Sequence, residues 1–204
     1  MRSRWLLGIV SFLLANSGFA ATGSAAWELG PTQARYSITL YGDLECPFCK
    51  DYFPQISKWI ASQSDVNLRW QHLPLSAHEP MASREAQYAE CAGKLGGNQS
   101  FWKATQMIYA QTQGNGSGIP KGLPVIADID HSAMRECMAD ENIQSEIQKQ
   151  VLAAQRKGIN ATPSLVVTDH KTERDVLLTG PADENVLLSA LDALAVTDAT
   201  QMFK

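Results

Sequence analysis

One stretch of the chain constrains its fold more than any other. Tyr36, Ile38 and Leu40 alternate with Ser37, Thr39 and Tyr41, which is the period of a strand, and the run ends at Gly42. Shortly after it, Cys46-Pro47-Phe48-Cys49 opens a segment in which Phe48, Tyr52, Phe53, Ile56, Trp59 and Ile60 recur at helical spacing. Pro54 inside this segment predicts a kink. A second alternating run follows, with Val66, Leu68 and Trp70 on one face. Strand, helix and strand joined in this way form a βαβ unit, whose two strands lie parallel with a right-handed crossover. The fold class is therefore α/β.

From about residue 79 to 157 the pattern is helical. One segment covers 81–95 and another 101–110, and the Gly/Pro-rich stretch 114–124 separates them from a long helix. Ile143, Ile147, Val151 and Ala154 mark the buried face of that helix, and Gly158 can end it. Strands are then predicted at 164–168 and 175–178, and Leu187, Leu188, Leu191 and Leu194 give a closing helix its apolar face. With the helical block set aside, the order is βαβ followed by ββα.

The first twenty residues read as a cleaved secretory signal. Arg2 and Arg4 precede an apolar stretch too short to span a bilayer comfortably, and Ser17-Gly18-Phe19-Ala20 supplies small residues for cleavage. An uncleaved anchor is the other reading of the same residues. Cleavage after Ala20 leaves 204 minus 20, about 184 residues, enough for one sizeable core. Residues 21–34, rich in Ala, Gly, Ser and Thr, are expected to be a disordered lead-in. The mature chain would carry 15 basic and 21 acidic residues without a basic patch, which argues against a nucleic-acid partner. Asn98, Asn115 and Asn160 stand in glycosylation-like tripeptides that we attribute to chance.

Export implies oxidising surroundings, where paired cysteines form disulfides. Cys46 sits where a strand feeds a helix start. The unpaired amides and the dipole there stabilise a thiolate, lowering a thiol from about 8.5 toward 3.5–7.5. Pro47 suits the first helical turn, since it has no amide hydrogen to leave unpaired. Cys46 is thus the candidate nucleophile, expected to be exposed, and Cys49, one turn further in, the buried resolving thiol. The motif alone also admits an ordinary disulfide or half of a zinc site. Against zinc, Cys91 and Cys137 lie singly on different helices, and His72, His78, His131 and His170 show no ligand spacing with them. No metal or cofactor is expected.

The run Tyr41-Gly42-Asp43-Leu44-Glu45-Cys46-Pro47-Phe48-Cys49-Lys50, with Pro54 beyond it, resembles the active-site segment of bacterial DsbA-like thioredoxin-fold proteins. Pro74-Leu75, then Ala82, Ala86, Ala89, Cys91, Ala92 and Phe101-Trp102, is similar to that family's inserted helical subdomain. Asn160-Ala161-Thr162-Pro163 looks like its cis-proline loop. The resemblance covers roughly residues 35–195. It implies a thioredoxin fold with a helical insertion at about 79–157 in a domain spanning 35–196, and thiol-disulfide oxidoreductase activity through Cys46 and Cys49. It makes Thr162 and Pro163 substrate-binding residues, the backbone of Thr162 pairing with an extended segment. Relatives also imply a structural disulfide between Cys91 and Cys137, with a second redox-active pair as the alternative.

The resemblance implies exported cysteine-containing proteins as substrates, a membrane redox partner of the DsbB or DsbD kind, a monomer, and a periplasmic or secreted location. Oxidation and isomerisation or reduction use the same two cysteines, and both directions stay open. Phe48 stands where DsbA proteins have histidine and offers no hydrogen bond to a thiolate. Thr162 and Asp43 look more like the DsbC and DsbG branch. Asp43 and Glu45 are expected to raise the thiol pKa and Lys50 to lower it. A non-catalytic peptide-binding module and a copper- or zinc-handling protein are rival readings of the same groove and thiols.

Overall fold

The computed structural model describes residues 27–201. A five-stranded sheet runs in the order β1-β3-β2-β4-β5, from β1 (Glu28–Leu29), β2 (Tyr36–Gly42), β3 (Val66–His72), β4 (Ser164–Asp169) and β5 (Arg174–Thr179). β2 and β3 are parallel, with Tyr36 opposite Val66 and Gly42 opposite His72, and α1 (Pro47–Ala61) is their crossover. β4 pairs antiparallel with both β2 and β5. The helix runs through Pro54 without a break.

Between β3 and β4 lie a 3-10 turn at Ser76–His78 and the helices α2 (Met81–Gln111), α3 (His131–Ala139) and α4 (Glu141–Arg156); α5 (Glu184–Gln201) closes the chain. α2 is two helical runs meeting at Gly97. Its φ of 78° and ψ of −176° are a conformation that glycine tolerates and other residues resist, so the expected division into two segments falls there. Two X-Pro bonds are cis, Glu79–Pro80 and Thr162–Pro163.

The period of two sends alternate β2 residues to opposite faces of the sheet. Ile38 and Leu40 join Leu68, Trp70, Leu165 and Val167 in the main core with α1 and α5, whereas Tyr41 packs with Val166 against Val151 and Ala154 of α4. Aromatic rings bind the inserted helices to this frame. Phe53 of α1 stacks on Trp102 at 6.0 Å, and Trp70 of β3 meets Phe101 edge-on at 6.2 Å.

Two expectations are corrected. The lead-in is not disordered throughout: Glu28 and Leu29 pair with Arg69 and Leu68 of β3. Trp27 stacks on Phe101 at 4.9 Å, and its indole donates to Glu90 at 3.0 Å. Gly93 makes room for that indole, since a Cβ there would lie 2.4 Å from it. Residues 21–26 and the signal segment fall outside the described residues. On α5, Leu187, Ala190 and Leu194 form the buried stripe, and Leu188 is exposed because its position turns it off that face.

Candidate active site

Cys46 is the N-cap of α1, with extended backbone (φ −79°, ψ 120°), and Pro47 takes the first helical position. The helix start therefore presents its free amides to the Cys46 sulfur. The loop before β4 brings Thr162 and Pro163 against it, and the Cys46 thiol donates to the Thr162 carbonyl at 3.4 Å. Cys49, a turn along, lies beneath and within hydrogen-bonding reach of Cys46. Both are free thiols in this state.

These contacts set the two thiols apart. Cys46 falls from 9.0 to about 6, chiefly through the hydrogen bond from Cys49, helped by the Thr162 hydroxyl and the Cys49 and Phe48 amides and opposed by burial. Cys49 moves well above its ordinary value because it is buried and faces the developing charge on Cys46. The Thr162 hydroxyl is buried without a hydrogen-bond partner among the described residues and lowers the pKa of both neighbouring thiols. A nucleophile below neutrality next to a thiol held protonated is the division of labour that thiol-disulfide exchange requires.

The expected exposure of Cys46 is overturned. The residue is only 3% accessible, because the Thr162–Pro163 loop covers its sulfur and the 114–118 loop closes on its neighbour, with the Asn115 amide donating to the Glu45 carbonyl at 2.7 Å. Phe48, in contrast, is 68% exposed beside it. Lys50 is also displaced from its expected role. Its ammonium donates to the Thr112 carbonyl at 2.7 Å, at the end of α2, and the leading influences on Cys46 are hydrogen bonds rather than nearby charges. Reduced protein mixed with a limiting alkylating reagent is expected to be labelled at Cys46 first, with a rate midpoint near pH 6. Labelling of Cys49 ahead of Cys46 would reverse the assignment.

Side chains that periodicity does not single out surround the pair. Asp43, fully buried, accepts from the Glu45 amide at 2.7 Å, the Leu75 amide at 2.8 Å and His78 Nδ1 at 2.7 Å. Burial raises its pKa against these bonds. The Glu45 carboxylate accepts from the Thr112 hydroxyl and from the Gly118 amide at 2.9 Å. Glu85 reaches it from α2, and Tyr109 donates to the Asp43 carbonyl at 3.1 Å. In the sequence Glu85 and Tyr109 are two more residues of long helical segments, and only long-range packing brings them here.

Cys91 of α2 and Cys137 of α3 are joined by a disulfide with Cα atoms 5.8 Å apart. No group of three or more His, Cys, Asp or Glu among the described residues could hold a metal ion. No described helix is long and apolar enough to cross a membrane.

The profile of a family described as Thioredoxin matches residues 22–184. The crystal structure of Pseudomonas aeruginosa DsbA2 is 46% identical, superposes with a TM-score of 0.80, and is matched over 83% of this chain and 93% of its own. The Bacillus subtilis Disulfide bond formation protein D is 26% identical over 153 residues, 69% of this chain and 67% of that protein. A Na(+)/H(+) antiporter NhaA 1 of Salinispora arenicola is 28% identical over 142 residues, 70% of this chain, and the chain spans only 21% of that protein's length. With a family profile over most of its length and a DsbA protein sharing nearly half of its aligned residues, the chain belongs to the thioredoxin family as a DsbA-like member.

Proposed function

We propose that the chain is an exported thiol-disulfide oxidoreductase acting on cysteine-containing proteins in the periplasm, after removal of residues 1–20. The observation that carries this reading is the Cys46 sulfur, with a pKa of about 6 at a helix start, backed by the protonated Cys49 and edged by Thr162. In the oxidising direction a substrate thiolate attacks Cys46 of the 46–49 disulfide. The S–S bond breaks, its electron pair leaves on Cys49, and a mixed disulfide forms on Cys46. A second substrate thiolate attacks the substrate sulfur and expels Cys46 as a thiolate. Thr162 and Pro163 hold the substrate segment, with the Thr162 backbone as its hydrogen-bonding edge. Cys91 and Cys137 form a structural cross-link. A membrane protein of the DsbB or DsbD kind would restore the starting state, and the enzyme works as a monomer.

Direction follows from how firmly the Cys46 thiolate is held. Phe48 points into solvent and gives it no side-chain hydrogen bond. A pKa of about 6 lies between DsbA's, about 3.5, and thioredoxin's, about 7, so we expect the potential of the pair to fall between about −270 and −120 mV. Such a pair oxidises some dithiols and reshuffles other disulfides. Two measurements test the reading: oxidation of a reduced two-cysteine peptide by the wild-type protein, and equilibration of the pair against glutathione. Failure to exchange with the peptide would remove the proposed activity. A potential at or above about −120 mV would remove the argument from Phe48.

A further inference from the structure

A substrate sulfur that reaches Cys46 enters beside two segments of the chain. One is the Thr162–Pro163 loop, whose Thr162 carbonyl accepts from the Cys46 thiol at 3.4 Å. The other is the loop 112–118 that follows α2, and it lies against the residues on either side of Cys46. The Asn115 amide donates to the Glu45 carbonyl at 2.7 Å, and a Cβ on Gly114 would stand 3.4 Å from that carbonyl and 3.5 Å from the Pro47 ring. Cys46 is only 3% accessible, so a polypeptide that brings a cysteine to it has both walls within reach.

The backbone of the second wall is pinned from below. Glu45 is fully buried, and its carboxylate accepts from the Thr112 hydroxyl at one oxygen and from the Gly118 amide at 2.9 Å at the other. The Thr112 hydroxyl in turn accepts from the Gly114 amide at 3.0 Å, and the Thr112 carbonyl accepts from Lys50 at 2.7 Å. Within the loop, Gln113 donates to the Gly118 carbonyl and Ser117 to the Gly114 carbonyl, both at 3.0 Å. Gly116 rests on the backbone of His78, which a Cβ would approach to 3.1 Å. Residues 113–118 are Gln, Gly, Asn and Ser, with no large apolar side chain to anchor them. Hydrogen bonds gathered on one buried carboxylate therefore keep the shape. Gln113, Asn115 and Ser117 are left exposed along the rim.

We propose that Asn115 is a specificity-determining residue of the exchange reaction, its carboxamide pairing with a peptide group beside the substrate cysteine, and that Glu45 is the positioning residue that holds it there. The proposal rests on the oxidoreductase reading and names the substrate class of that site. A carboxamide carries a carbonyl and N–H donors, the complement of a peptide group. Every polypeptide has such groups next to its cysteines, and a low-mass thiol such as dithiothreitol has none. The wall thus favours polypeptide thiols over small ones without choosing among protein sequences.

The first test is Asn115→Gly. Asn115 has a φ of 53°, which glycine also adopts, so the change removes the carboxamide and leaves the backbone. Oxidised protein is mixed with excess reduced two-cysteine peptide, and in parallel with dithiothreitol, and the second-order rate constant for reduction of the 46–49 disulfide is read for each. The preference for the peptide, the ratio of the two constants, is expected to fall by about 2- to 10-fold, the factor carried by one hydrogen bond. Glu45→Ala should lower the same ratio at least as far. Glu45→Gln should restore most of it, since glutamine keeps a carbonyl for the Gly118 amide and an N–H for the Thr112 oxygen. Should Glu45→Ala fold poorly, the comparison of Glu45→Gln with Asn115→Gly decides. A ratio for Asn115→Gly within about twofold of the wild type, or an equal loss with both reductants, overturns the role of Asn115. A Glu45→Ala ratio at the wild-type value, or a Glu45→Gln ratio no better than that of Asn115→Gly, overturns the role of Glu45. A wild-type protein that dithiothreitol reduces but the peptide does not overturns the oxidoreductase reading instead.

Discussion

Replacing both Cys91 and Cys137 with alanine is expected to lower the unfolding free energy by about 4 kcal/mol, the chain-entropy value for a closed loop of this length. The cross-link spans 46 residues of sequence, and between its ends lie the second run of α2 and the stretch 112–130, which holds no helix or strand. α3 needs the tie most. It has nine residues, of which Met134 is the buried apolar one, and a helix that short does not stand on its own in water. Asp130 caps it by accepting from the Ser132 and Ala133 amides, which fixes its start but not its seat on α2. Urea unfolding of the double variant beside the wild type measures the effect. A loss below about 1 kcal/mol would mean that packing alone holds the insert and would favour a redox role for the pair.

The parts of this fold that were legible in the sequence are those whose signal is local. The alternation of Tyr36 to Tyr41, the helical spacing from Phe48 to Ile60 and the alternation from Val66 locate the βαβ unit, because each pattern is repeated enough times to separate a period of two from one of 3.6. β1 has two residues and no period, so composition suggested disorder. What orders it is Trp27 in a notch left by Gly93, a contact across more than sixty residues.

The site divides in the same way. The helix start that lowers Cys46 could be read from Pro47, whereas the cover over Cys46 comes from residues 114–118 and 162–163, which no spacing connects to it. Lys50 illustrates the error of assigning a charge to its sequence neighbour, since its long side chain satisfies a helix end instead.

Glu85→Gln is expected to stabilise the protein by about 2 kcal/mol at pH 7, although it removes a carboxyl group from the neighbourhood of the active site. Glu85 is 1% accessible, and its Oε2 finds no hydrogen-bond donor among the described residues. The group beside it is Glu45, whose carboxylate is already taken by the Thr112 hydroxyl and the Gly118 amide. Two facing carboxyls in a dry site cannot both ionise cheaply, so one keeps its proton and donates to the other. Glu85 is that one: burial first, then the charge on Glu45, push it up to about 9 from an ordinary 4.5. The folded pKa is raised, so at pH values between the two the folded chain holds a proton that the unfolded chain gives up, and stability falls as pH rises through that window. At pH 7 this cost is about 3.5 kcal/mol at about 1.4 kcal/mol per pH unit, and partial solvation of the pair brings it nearer 2. Glutamine offers Glu45 an amide N–H in place of the carboxyl O–H, with no proton to hold. The gain should therefore shrink toward zero near pH 4.5 and grow toward pH 8.5. Urea unfolding of both proteins at pH 5, 7 and 8.5 measures it, and a difference independent of pH would show that Glu85 is ionised in the fold.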